Sequence, residues 1–128
     1  MRNPAARCRA FTLIELLVVL AVIALLLSIV TPRYFQGVTK AEEATLRQNL
    51  HAVRDALDKH YGDTGRYPDS LQELVGKRYL RSVPVDPITR SAESWVLVPP
   101  ADPRMGLVYE VKSGANGTGL NGTAYETW

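Results

Sequence analysis

The sequence predicts an α+β fold: one long N-terminal helix, apolar in its first half, whose second half packs under a small antiparallel β-sheet head. Three observations predict it. Residues 10–30, AFTLIELLVVLAVIALLLSIV, are almost wholly apolar, and about twenty helical residues rise roughly 30 Å, enough to cross a bilayer's hydrocarbon core. Over 38–61, Leu46, Leu50, Val53 and Leu57 recur at intervals of four, three and four, which is one stripe of an amphipathic helix. Beyond Gly62-Asp63-Thr64-Gly65 the chain breaks into short β-branched and aromatic runs between prolines and glycines, the pattern of a small sheet joined by loops.

Charge and cysteine content narrow the function classes. The chain has 15 basic and 13 acidic residues, but Arg2, Arg7 and Arg9 all precede the apolar run, and without them the balance is 12 against 13. No electrostatic footprint for nucleic acid follows from that. The same arginines predict a cytoplasmic N-terminus by the positive-inside rule. Cys8 is the only cysteine, so no intramolecular disulfide can form.

Within the apolar run Glu15 is the anomaly. A carboxylate just inside a membrane span costs on the order of a few kcal/mol unless it finds a partner. Cleavage between Ala10 and Phe11 would create one, an α-amine four residues away. A short basic leader, a small residue, FTLIE and an unbroken apolar helix together resemble the signal and assembly helix of type IV pilins and type II secretion pseudopilins. The family usually has glycine at the position of Ala10. The later order, Tyr67-Pro68, a short helix, Tyr79-Leu80 and Pro84-Val85-Asp86-Pro87, resembles the head of major pseudopilins. The missing disulfide tilts the resemblance the same way.

The resemblance implies a pilin-like fold with a leader at 1–10, a transmembrane and assembly helix at 11–31, an amphipathic second half of the stem at 32–61 and a small head at 62–128. It implies cleavage after Ala10 by a prepilin peptidase, N-methylation of Phe11 by the same enzyme, and Glu15 as the residue that sets register between assembled stems. The implied role is structural, not enzymatic: a subunit of a type II secretion pseudopilus that drives export across the outer membrane, with a type IV or competence pilin as the alternative. Implied partners are further copies of the chain, minor pseudopilins, the peptidase and the inner-membrane assembly platform. Implied localisation is a single inner-membrane pass with the head in the periplasm. Major pseudopilins commonly hold calcium in the C-terminal loop; here that loop offers only Asn116, Asn121 and Glu126 as weak candidates, and structural turns are the expectation.

The remaining elements follow in order. Pro32 lacks the N–H that would bond the carbonyl of Ser28, so a kink is expected there, with Gly37 a second weak point. Lys40, Glu43, Arg47, His51, Arg54 and Asp58 form the expected solvent face, with Glu43–Arg47 and Asp55–Lys59 as ion pairs four apart. Ser70 and Glu73 have capping-box spacing, and Leu71, Leu74 and Val75 give that short helix its buried side. Strands are expected at 94–98 and 107–111, the second with Leu107, Tyr109 and Val111 on one face, and a last one at 124–128. Together they would make a three-stranded sheet packed on Leu50, Val53 and Leu57, with Trp95 and Trp128 as core anchors.

Catalytic motifs fail on context. Residues 117–122 match GxGxxG, but no helix can follow, so the match is turn composition. His51 and His60 lie nine apart and face opposite sides of one helix, which prevents a shared metal.

Overall fold

The computed structural model describes residues 10–128; the expected leader arginines and Cys8 lie outside that range. The chain divides into two compact units, Met1–Gly37 and Val38–Trp128. Helix α1, Leu13–Thr64, is assigned without interruption across Pro32. Five short elements follow: helix α2 (Leu71–Gly76), strands β1 (Val96–Val98) and β2 (Glu110–Lys112), and single 3-10 turns at Pro103–Met105 and Tyr125–Thr127.

Among its described residues the first unit has no core of its own. From Phe11 to Val30 its large apolar side chains are between 47% and 79% exposed. Two of its hydroxyls are turned back on the helix: Ser28 Oγ donates to the carbonyl of Leu25 at 2.7 Å and Thr31 Oγ1 to that of Leu27 at 2.6 Å. Polar groups in an apolar stretch are thereby satisfied without a partner, which a bilayer requires.

The second unit holds the core. Leu46, Leu50, Val53, Ala56 and Leu57 of α1 pack with Leu71 and Leu74 of α2, and with Trp95, Val108, Val111, Ala115 and Tyr125. The stripe read from spacing is therefore the buried face, with Ala56 added to it. At the end of α1, Gly65 takes φ +71° and its N–H reaches the carbonyl of Tyr61 at 2.8 Å, a left-handed cap. Helix α2 starts on the Ser70 cap, with Glu73 reaching back one residue further than a capping box requires. Ser70 Oγ accepts from the Glu73 N–H at 3.2 Å, and the Glu73 carboxylate accepts from the Asp69 N–H at 2.7 Å. That backbone donor, followed by the Lys77 ammonium, holds the Glu73 carboxyl below the ordinary carboxylate range.

The sheet is smaller than expected. β1 and β2 form an antiparallel pair with Val96 opposite Lys112, Leu97 opposite Val111 and Val98 opposite Glu110. The expected alternation over 107–111 is broken, with Val108 and Val111 buried while Leu107 and Tyr109 are exposed. The cause is local. The N–H groups of Leu107 and Val108 both donate to the carbonyl of Pro68, at 3.2 and 3.0 Å, which bends the chain before pairing begins. Just ahead of the bend Gly106 sits at φ +109°, where a Cβ would lie 2.1 Å from the Tyr67 carbonyl oxygen; only glycine fits so close an approach.

The expected third strand over 124–128 is instead a 3-10 turn. Its backbone donors are used locally: Tyr125 N–H on Gly117, Thr127 N–H on Ala124 and Trp128 N–H on Tyr125. What remains of strand pairing is one isolated bridge between Thr118 and Ala124. Trp95 is the anchor expected of it, 6% exposed with its indole N–H on the Pro84 carbonyl at 2.8 Å. Trp128 packs only partly against the core, its indole N–H donating to Thr123 Oγ1.

Candidate functional site

Two groups of residues stand out, one in each unit. The first opens α1. Thr12 is its N-cap: Thr12 Oγ1 accepts from the Glu15 N–H at 3.2 Å, and the Thr12 carbonyl accepts from the Leu16 N–H at 3.1 Å. Glu15 therefore stands in the first helical turn, where a carboxylate meets the positive end of the helix dipole. Ala10, Phe11 and Thr12 lie outside the helix, and Phe11 is 79% exposed. The role of Thr12 was not anticipated, although Thr-x-x-Glu at the head of an apolar run is a legible capping signal.

The second group joins the helix side of the head to its C-terminal loop. Glu43 and Arg54, expected on the solvent face, are turned inward. Glu43 is 5% exposed, and its Oε1 accepts from the Leu120 N–H at 2.8 Å and from the Tyr125 hydroxyl at 3.0 Å. Burial, and then this carboxylate, push the Tyr125 phenol above its ordinary pKa. Arg54 gives Nε to Glu110 at 2.7 Å and Nη2 to the carbonyls of Val111 and Trp128 at 3.1 and 2.7 Å. Arg47 leaves its expected partner Glu43 and lies 4.1 Å over the Trp128 ring, a cation–π contact. The other expected pair, Asp55–Lys59, forms at 2.9 Å on the exposed face. Spacing alone could not reveal the two inward charges, because their partners lie 56 to 82 residues away.

A second buried acid, Asp86, closes the loop after α2. Asp86 is fully buried; its carboxylate accepts from the N–H groups of Ile88 and Thr89 and from the Ser113 hydroxyl, which in turn accepts from the Ala115 N–H. A carboxylate with several donors tolerates burial that an isolated one would not. The Pro84–Pro87 turn is thus tied to the start of the C-terminal loop.

Neither histidine makes a metal site. His60 is 2% exposed and its Nδ1 lies 2.7 Å from the Arg66 carbonyl. A carbonyl can only accept, so Nδ1 carries the proton, and Nε2 faces Lys77 Nζ at 3.4 Å. His51 is exposed on another face of α1. Among the described residues no three His, Cys, Asp or Glu side chains gather as metal ligands.

The three calcium candidates do not converge. Asn116 and Glu126 line one cavity, whereas Asn121 lines another beside Arg47, His51 and Arg54. Asn121 Oδ1 is already used, accepting from the Thr123 N–H and hydroxyl at 3.1 and 2.7 Å. Calcium takes six to eight hard oxygens, carboxylates among them, and one exposed carboxylate does not make such a set. The donor chemistry of this loop does not fit the ion.

Comparison with known proteins agrees with this geometry. Residues 5–31 match the model of the prokaryotic N-terminal methylation motif. The chain is 30% identical to the type II secretion system core protein G of Klebsiella michiganensis over 85% of its own length and 77% of that protein. It is 33% identical to the protein of the same name in Klebsiella pneumoniae, over 63% and 69% of the two chains. The type IV major pilin protein PilA of Myxococcus xanthus is 33% identical, but over 56% of this chain and 32% of that one. No solved structure matches significantly.

Proposed function

The chain belongs to the family of type II secretion system core protein G, and from that premise we propose that it is the repeating structural subunit of a type II secretion pseudopilus. The observation that carries this reading is the exposure of the apolar half of α1, where the large apolar side chains from Phe11 to Val30 lack cover among the described residues. Such a surface belongs in lipid before assembly and in a bundle of like stems afterwards, because either removes the apolar area from water. The head supplies no reactive constellation and acts by occupying space. In this reading the helix anchors the subunit once in the inner membrane, the N-terminus stays cytoplasmic and the head stands in the periplasm.

Maturation is a separate chemistry, performed on the chain by a prepilin peptidase. Cleavage after Ala10 frees the Phe11 amine, which is then methylated. Intact-mass measurement on membrane-extracted protein should show a species that starts at N-methylated Phe11. A species starting near Thr31 would identify an ordinary signal peptide and end this reading.

The likeness to PilA supports a second reading, a surface pilin, over a shorter match. Deleting the gene in its own host separates the two. Loss of protein export with surface motility and DNA uptake intact is the expected result; the reverse pattern would assign the chain to a surface pilus.

A further inference from the structure

The C-terminal loop is held by side chains of α1. Its turn at 119–122 is closed by Gly122 N–H on the Gly119 carbonyl at 3.0 Å and Gly119 N–H on the Thr123 carbonyl at 2.8 Å. The turn projects the Leu120 N–H away from its own backbone acceptors, toward the helix. Glu43 meets that donor and also the Tyr125 hydroxyl, so one oxygen spans both sides of the loop. Arg54, eleven residues further along α1 and so on nearly the same face, grips the carbonyls of Val111 and Trp128. Between them Arg47 covers Trp128. Gly119 is packed so tightly under Trp128 that a Cβ would lie 2.3 Å from its ring.

We propose that Glu43 is a built-in clamp for the C-terminal loop, so that the head keeps this loop ordered without calcium or any other divalent cation. The chemistry is complementary to that of a cation site. A calcium ion orders a loop by drawing carbonyl and carboxylate oxygens inward; a buried carboxylate orders one by drawing N–H and O–H donors inward. Here the oxygens a cation would need are either spent, as on Asn121, or separated, as Asn116 and Glu126 are from it. The donors that a carboxylate needs converge on Glu43. Because both are neutral and Glu43 is buried, the carboxylate depends on them as much as the loop does: losing them would leave a charge without solvation.

The test is a thermal melt of the full-length protein in detergent, followed by the fluorescence of Trp95 and Trp128, in EDTA and in millimolar calcium. The wild-type midpoint should move by less than about 1 °C between the two, whereas an ion well above its dissociation constant would raise it by about 10 °C. Terbium, used as a luminescent calcium probe, should show no saturable emission sensitised by tryptophan. Glu43→Ala should lower the midpoint by about 8 °C and expose the 113–128 segment to limited proteolysis, with no recovery in calcium. Glu43→Gln, which keeps an acceptor oxygen, should fall between. Stabilisation of the wild type by calcium, saturable terbium binding, or a Glu43→Ala midpoint equal to wild type would each overturn the proposal. Should Glu43→Ala fail to fold, the wild-type comparison in EDTA and calcium still decides it.

Discussion

Leu50→Ala lowers the stability of the head by about 2–5 kcal/mol. Leu50 is 1% exposed, at the centre of the α1 stripe and in the cluster that includes Trp95, Val108 and Val111. Alanine there removes the transfer energy of three carbons and leaves a cavity that the rigid helix backbone cannot close. Domains of this size are held by only about 5–15 kcal/mol, so the loss is a large share of the total. Urea unfolding of the full chain in mild detergent, read by tryptophan fluorescence, would show the midpoint falling with little change in slope. Leu26→Ala is the control: at 57% exposed in the first unit, it should leave that transition where it was. Equal effects from the two substitutions would mean that the α1 stripe is not the core of the head.

Glu15→Leu should insert in the membrane at least as well as wild type, yet reduce filament formation by more than about tenfold. The expectation rests on our proposal that, in a bundle of apolar stems with lipid excluded, the Phe11 amine of one subunit pairs with Glu15 on a neighbour and so opposes axial slippage. The net energy of such a pair is small, because desolvation offsets the Coulomb gain. Leaving the amine unpaired is what costs several kcal/mol, and each 1.4 kcal/mol is a factor of about ten. Glu15 also stands in the first turn of α1 with its own N–H on Thr12, so its loss weakens the helix start by well under the pairing cost. Filaments sheared from an overexpressing strain and quantified against processed subunit provide the measurement. If Glu15→Leu, shown to be cleaved after Ala10, assembled as wild type does, the pairing role would have to be abandoned.

Local chemistry made much of the molecule legible beforehand. The apolar run, the stripe at Leu46, Leu50, Val53 and Leu57, the Gly65 cap and the Ser70–Glu73 capping box each depend on residues within one or two turns of one another. Their geometry is dictated by helix periodicity and by backbone donors that must find acceptors. The Thr12 cap belongs with them, since its signal is four residues long.

Spacing and local chemistry alone fix which helix faces are apolar, where α1 ends and where α2 begins. Only the tertiary structure decided what the charges do. Glu43 and Arg54 have the spacing of a solvent face, and nothing nearby in the chain distinguishes them from Asp55 or Asp58. Glu43 is buried and Arg54 half-buried because the chain beyond Glu110 folds across them, bringing Leu120, Tyr125 and the carbonyls of Val111 and Trp128 from 57 to 82 residues away. The same long-range packing turned the expected third strand into a 3-10 turn and shifted the phase at Val108, where the Pro68 carbonyl captured two N–H groups. Periodicity reports the face a residue shares with its neighbours on one element; whether that face meets water or another segment depends on contacts between distant parts of the chain.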